Sequence, residues 1–284
     1  MSTHTAPKTV LITGTSSGIG LAAAVAAAGA GWQVIATLRN PAKAGPLLEA
    51  AAEAGVAERI QVKRLDVVDH ASVATCLEEV LAEYGHLDAV VNNAGAGRVG
   101  TIEQNGLDEL RDTMEVNFFG VVEVTRAALP HLRASKGRVI TVTSVGGMVG
   151  QPFNEGYCAA KFAVEGFMES LAPVAARVGV GVTVVEPGAV ASEFVASVGV
   201  DLPAMLAAAG PYAPALRAYI DHVTQTFTEA QTPAEAAAPI IEALTAEQPA
   251  FRMQTSDWAR TFVGLKTSDL DGSAVQNLMG EWVS

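Results

Sequence analysis

Thr9-Val-Leu-Ile-Thr13 runs directly into Gly14-Thr15-Ser16-Ser17-Gly18-Ile19-Gly20, and an Ala-rich segment follows as far as Gly29. The apolar quintet reads as a strand buried on both faces, because a half-exposed strand would alternate apolar and polar residues. The alanines after Gly18 read as a helix that stops near Gly29. A strand, a glycine turn and a helix in immediate succession open a parallel βαβ unit. Within the turn, Gly14 permits the tight bend, Gly18 lets backbone come close to a bound group, and Gly20 lets the helix pack tightly.

Outward from this unit the same rhythm repeats. A second strand is predicted at 32–37. Helices at 46–54, 70–84, 107–133, 155–178 and 232–247 then alternate with strands at 59–65, 87–91, 137–143 and 180–185. That alternation predicts an α/β fold: a single-domain, Rossmann-type, doubly wound parallel sheet of about seven strands with helices on both faces. Residues 1–7 read as a tail and 8–284 as one domain, since no linker or repeat interrupts the pattern through residue 188. Residues 189–230 break it with Pro203, Pro211, Pro214 and mixed polarity. A long insertion of this kind is expected to be a lid, emerging where such sheets bind ligands. Residues 253–284 form a C-terminal extension.

Half of the residues are hydrophobic and 17% are charged, enough apolar surface for a sizeable core. The net charge of -12, without a run of Lys or Arg, argues against nucleic acid or an anionic membrane surface as partner. Cys76 and Cys158 are too few for a disulfide framework or a Cys-rich zinc site, and they fit a reducing cytoplasm. His4, His70, His86 and His131 show no metal-ligand spacing, so no metal is expected. Residues 1–10 carry no secretory pattern. The uncharged stretch 21–38 is broken by Gly29 and Gly31 and reads as helix, turn and strand rather than a membrane span. A soluble, cytoplasmic protein is expected.

The N-terminus of the first helix offers free N–H groups and a positive dipole end, which suit the pyrophosphate of a dinucleotide. Whether that dinucleotide carries a 2′-phosphate is decided at the end of the second strand, Ala36-Thr37-Leu38-Arg39. No carboxylate stands there to bind ribose hydroxyls, and Arg39 with Ser16 or Ser17 can hold a phosphate through charge-assisted contacts worth roughly 1.5–3 kcal/mol each. NADP(H) is therefore favoured over NAD(H).

Tyr157 and Lys161 lie four residues apart in a predicted helix, on one face. Deprotonating a free Tyr at neutral pH costs about 4 kcal/mol, and a nearby ammonium is expected to lower that cost. Ser144 ends the strand before this helix and brings a hydroxyl to the same crevice. Phenol and hydroxyl together supply the proton and the orientation that hydride transfer to a carbonyl needs.

The spacing TGxxxGxG, then Asn92-Asn93-Ala94-Gly95, then Ser144 and Tyr157-Cys-Ala-Ala-Lys161, resembles the short-chain dehydrogenase/reductase family over residues 8–190. The resemblance implies a nicotinamide cofactor held by Gly14, Ser16, Ser17, Gly18, Ile19 and Gly20, with Asp66 on the adenine amine and Val67 beside the ring. Asn93, Ala94 and Gly95 would line the cofactor, and Tyr157 and Lys161 would touch it. It also implies that Asn117 holds a proton-relay water beside the catalytic Ser144, Tyr157 and Lys161. Glu186-Pro187-Gly188-Ala189-Val190-Ala191-Ser192 is similar to the family's PGxVxT segment, so Pro187, Gly188 and Val190 would flank the nicotinamide and Ser192 would replace the usual Thr on its carboxamide. A homodimer or homotetramer built on the helices at 107–133 and 155–178 is implied as well.

Several short strings look closer to 17β-hydroxysteroid and retinol dehydrogenases than to other members: Ala36-Thr37-Leu38-Arg39, Ser144-Val145-Gly146-Gly147, Pro152-Phe153-Asn154 and Glu165-Gly166. This suggests a bulky apolar ketone or alcohol, against the alternatives of a smaller ketone or a non-catalytic NADP sensor. Candidate substrate contacts are Val145, Phe153, Tyr219, His222, Phe227 and Glu281. The lid's apolar residues could equally be its own packing, and His222 an ordinary packed histidine.

Overall fold

The computed structural model describes residues 7–191, 202–226 and 230–284. Strands β1 (Thr9–Thr13), β2 (Gln33–Leu38), β3 (Ile60–Arg64), β4 (Ala89–Asn92), β5 (Arg138–Val142), β6 (Gly181–Glu186) and β7 (Arg252–Gln254) form one sheet in the order β3-β2-β1-β4-β5-β6-β7. Every pairing is parallel. The chain runs outward from β1 to β3, then crosses back to β4 on the other side of β1. This reversal opens a crevice beyond the carboxyl ends of β1 and β4, the place where doubly wound sheets bind ligands.

Alternate residues of β1 supply the two faces of the sheet, as a period of two requires. Val10 and Ile12 pack with α1 (Gly18–Gly29), α2 (Gly45–Glu53) and α9 (Pro233–Thr245), where Ala23, Ala24, Ala27 and Ala28 present a smooth surface for close helix packing. Leu11 packs on the opposite face with α3 (His70–Tyr84), α5 (Gly120–Ser135) and α6 (Glu155–Ala176), through Val73, Leu77, Val124, Val164 and Met168. Both faces are thus covered, as the continuous apolar run of β1 demands.

The helix predicted at 107–133 is divided. An α-helix, α4 (Leu107–Met114), passes through a π-helical turn (Glu115–Phe119) before α5 begins. The wider turn resets the helix phase, and Asn117 within it is fully buried.

Among the described residues, the segment expected to be a lid is more regular than its prolines suggested. Pro203 and Pro214 occupy the second positions of α7 (Leu202–Ala208) and α8 (Ala213–Thr226), where a helix has no use for the missing N–H. Helices α10 (Asp257–Ser268) and α11 (Ser273–Glu281) complete the C-terminal extension. With α8 they build a third apolar cluster around Leu216, Tyr219, Phe262, Met279 and Trp282, joined by Val145 and Phe153 from the end of the sheet. Among the described residues, no helix is long and apolar enough to cross a membrane.

Candidate active site

Gly14 and Gly18 have φ of +72° and +57°, left-handed conformations that other residues rarely adopt. A Cβ on Gly20 would lie 2.2 Å from the Gly14 carbonyl oxygen and 2.4 Å from Asn93 Nδ2. Asn93 draws the turn against β4, its Nδ2 donating to the carbonyls of Thr13 (2.9 Å) and Gly14 (3.0 Å). The Thr13 hydroxyl accepts from the backbone N–H groups of Asn93 and Ala94. The Ser17 side chain makes no capping hydrogen bond to α1, so the first turn of the helix keeps its donors for an anion. Ser16, Ser17, Gly18 and Ile19 are all partly open. A cradle of backbone that no side chain could enter, beside an uncapped helix start, fits a dinucleotide pyrophosphate.

Gly14 and Thr15 donate their N–H groups to the Thr37 carbonyl on β2, which fixes the turn beside the exposed Arg39 that follows this strand. At the end of β3, the Asp66 carboxylate accepts from the Val68 N–H (3.3 Å) and the Asp66 N–H donates to Ser72 Oγ (3.0 Å). Val67 packs on Gly120 so closely that a Cβ there would stand 2.8 Å from its methyl.

Ser144 begins the tight turn Val145–Gly147 after β5 and accepts from the Gly146 N–H (3.0 Å). Its hydroxyl also faces the Tyr157 phenol and lowers the phenol's pKa. Gly146 lies between them, its Cβ position 3.4 Å from Ser144 Oγ and 3.5 Å from the Tyr157 ring. Lys161, almost wholly buried, donates Nζ to the Val142 carbonyl (3.0 Å) and sits 5.8 Å from the centre of the Tyr157 ring. Asn117 donates Nδ2 to the carbonyls of Ala96 (2.9 Å) and Thr113 (3.0 Å) and accepts from the Ala96 N–H. Gly95 adjoins both remaining groups, its Cβ position 2.9 Å from Asn117 Oδ1 and 3.8 Å from Lys161 Nζ. All four side chains named from the sequence therefore converge on the crevice beside the glycine turn.

Burial dominates the electrostatics of the site. Burial pushes the Tyr157 phenol up to about 12, the Ser144 hydroxyl pulls it back, and the neighbouring Cys158 thiol adds to the rise. The Lys161 ammonium donates to the Val142 carbonyl and stands 5.8 Å from the centre of the phenol ring. Burial in turn draws Lys161 down to about 8, against the upward pull of Glu165. Cys158 serves packing: it is buried, and its Sγ accepts from the Gln151 N–H.

Pro187 accepts from the Val145 N–H (2.9 Å), joining the segment after β6 to the serine turn. A Cβ on Gly188 would meet the Trp258 ring at 3.0 Å, and Val190 bridges to Gln231. Ser192 and Phe227 lie outside the described residues. Val145, Phe153 and Tyr219 are buried in the third cluster, with the Phe153 and Tyr219 rings 5.6 Å apart. His222 stacks on Trp282 at 4.5 Å, while Glu281 is exposed at the end of α11. Among the described residues no ion pair joins His222 to Glu281.

Sequence reasoning missed the charged cluster beneath this site. Glu165, Glu186 and Arg252 come from α6, β6 and β7. The Arg252 guanidinium lies 3.2 Å from Glu165 Oε2 and 2.9 Å from Glu186 Oε1, the second a charge contact outside hydrogen-bond alignment. Gln254 donates to Glu186 Oε2 (2.8 Å). Burial pushes Glu186 up to about 7 against the pull of Gln254, and the Glu165 charge reinforces the rise. The spacing of Glu165, one turn beyond Lys161, was the available signal; Arg252 lay in a strand too short to show a period.

The sheet reversal, the glycine cradle and the Ser–Tyr–Lys–Asn constellation together define a dinucleotide-dependent oxidoreductase. Comparison with known proteins makes this specific: the family model for short chain dehydrogenase matches residues 8–202, and the chain belongs to this family, whose cofactor is NAD(H) or NADP(H). It is 37% identical over 282 residues to retinol dehydrogenase 8 of Bos taurus, covering 94% of this chain and 88% of that one. To 17-beta-hydroxysteroid dehydrogenase type 1 of Mus musculus it is 38% identical over 274 residues, covering 94% and 79% respectively. A solved short-chain dehydrogenase from Streptomyces avermitilis superposes with a TM-score of 0.75 at 33% identity, covering 98% of this chain and 96% of the other.

Proposed function

We propose that this enzyme uses NADP(H) to interconvert a ketone and a secondary alcohol on a bulky apolar substrate of the steroid or retinoid kind. The observation that carries the reading is the convergence of Ser144, Tyr157, Lys161 and Asn117 beside the glycine turn. The nicotinamide supplies or accepts the hydride. Gly14, Ser16, Ser17, Gly18, Ile19 and Gly20 would hold the pyrophosphate, Arg39 the 2′-phosphate, and Asp66 and Val67 the adenine. Asn93, Ala94 and Gly95 would line the middle of the cofactor, and Pro187, Gly188, Val190 and Ser192 the nicotinamide.

In this reading Ser144 Oγ orients the substrate oxygen while the Tyr157 hydroxyl, whose pKa Ser144 lowers, gives or takes the proton. A phenol held high by burial favours donation, the direction of ketone reduction. Lys161 binds the cofactor ribose and supplies positive charge near the phenol, and Asn117 holds the relay water. Val145, Phe153, Tyr219, His222 and Phe227 would contact the substrate, with Glu281 at the rim. The names of the relatives above make steroids and retinoids the first substrates to test. A homodimer or homotetramer through the helices at 107–133 and 155–178 agrees with exposed Phe119, Phe162 and Val174.

The test follows the absorbance of NADPH and NADH with a panel of steroids, retinoids and simple ketones. NADPH-linked turnover of the bulky members is expected, and Tyr157→Phe should lower kcat by roughly 10²-fold or more with cofactor affinity nearly unchanged. Turnover of small ketones alone would overturn the substrate class; cofactor binding without any turnover would make the protein a sensor.

A further inference from the structure

Tyr157, Lys161 and Glu165 stand at i, i+4 and i+8 on α6 and so share one helix face. Lys161 and Glu165 are 4% and 3% exposed, and both lie against Gly147, whose Cβ position is 3.1 Å from Glu165 Cγ and 3.1 Å from the Lys161 carbonyl oxygen. Glu165 is fixed at both oxygens: Thr143 Oγ1 donates to Oε1 (2.5 Å), and Arg252 donates Nε (3.3 Å) and Nη2 (3.2 Å) to Oε2. Thr143 is the residue immediately before Ser144, so this carboxylate is tied to both the lysine helix and the serine turn.

A buried ammonium is unfavourable unless an anion accompanies it. Around Lys161, the Val142 carbonyl of β5 is a dipole, Asn117 beyond Gly95 and Tyr157 are uncharged at neutral pH, and Glu165 supplies the anion. Glu165 faces Arg252 from β7, Glu186 from β6, Thr143 from β5, and Lys161 and the exposed Glu169 from α6; Arg252 also contacts Glu169 (2.8 Å). Burial pushes Glu165 upward, and Thr143 and Arg252 oppose that rise.

We propose that Glu165 is a positioning residue for the reaction: its clamped carboxylate keeps the Lys161 ammonium charged and thereby sets the alkaline limit of turnover. This rests on Lys161 having the role given above. Arg252 and Thr143 act one step further back, holding the Glu165 charge in place.

The chain has six lysines, Lys8, Lys43, Lys63, Lys136, Lys161 and Lys266, few enough for NMR of protein labelled with ¹³C at lysine Cε, with Lys161 assigned by Lys161→Met. The Lys161 signal is expected to titrate near 8 in the native chain and roughly one pH unit lower in Glu165→Gln, which retains a hydrogen-bond acceptor for Thr143. With NADPH and a ketone from the panel above, the alkaline limb of kcat should fall by the same amount. Glu169→Gln, at the solvent end of the cluster, should leave both unchanged. If Glu165→Gln does not fold, Glu165→Asp carries the test: drawing the carboxylate back by one methylene should lower the midpoint by a smaller, measurable amount.

An unchanged Lys161 midpoint in the variant that folds would overturn the proposal. A midpoint that falls while the kcat limb stays fixed would instead overturn the reading of Lys161 as a working charge.

Discussion

An added methyl at Gly20 has nowhere to go, because the atoms it would meet are the Gly14 carbonyl, part of the backbone, and an Asn93 amide that already makes two hydrogen bonds. Gly20→Ala is expected to cost about 1–3 kcal/mol in a denaturant titration and to abolish NADPH binding followed by fluorescence. Gly29, with open space around its Cβ position, is the control: Gly29→Ala should be neutral or stabilising by up to about 1 kcal/mol. Arg39 is exposed while its neighbour Leu38 is buried, so the test of phosphate recognition belongs at Arg39. Arg39→Ala should weaken NADPH binding by roughly 10-fold or more, as loss of a charge-assisted contact implies, and leave NADH binding unchanged; equal weakening of both would remove Arg39 from the 2′-phosphate. These residues were legible because a glycine turn and a strand end are local matters. The level of the Tyr157 phenol was not, since burial depends on what the rest of the chain stacks above it.

Between α4 and α5 the chain was expected to be one helix, and the apolar periodicity of 107–133 gives no sign of the π turn that swings Asn117 inward. A one-residue change of phase is invisible in a pattern whose tolerance is itself about one residue. The identity of Asn117 could be read by resemblance; the geometry that buries it could not. The same limit hid β7, three half-buried residues whose importance lies in one guanidinium. Glu186, fully buried on β6, gives this cluster a measurable signature. Between the ordinary carboxylate range and about 7, the folded chain keeps a proton on Glu186 that the unfolded chain has released. Stability therefore falls as pH rises through that window, by about 3 kcal/mol at most. Urea midpoints between pH 5 and 7.5 should decline for the native chain and flatten in Glu186→Gln; parallel slopes would place the buried proton elsewhere.

The two cores on the faces of the sheet follow from strand and helix periodicity and could be anticipated whole. The third could not, because it joins α8, two C-terminal helices and the end of β5 through aromatic rings far apart in sequence. Trp282 sits at its centre, with ring centroids 5.7 Å from Phe262, 6.5 Å from Tyr219 and 4.5 Å from His222. Trp282→Ala should destabilise this lobe by about 3–5 kcal/mol, and hydrogen exchange should accelerate in α8, α10 and α11 while β1 and β4 keep their protection. Acceleration throughout the sheet would mean that the lobe and the sheet open as one unit. The strand order also carries a consequence for biosynthesis. Because β7 is the last strand to be made, a nascent chain emerging from the ribosome holds Glu165 and Glu186 for more than sixty residues before Arg252 is translated. Until then the far edge of the sheet is open and its two acids lack the guanidinium that clamps them, so arrival of β7, rather than collapse of the first half of the chain, commits the lysine and tyrosine to their final environment.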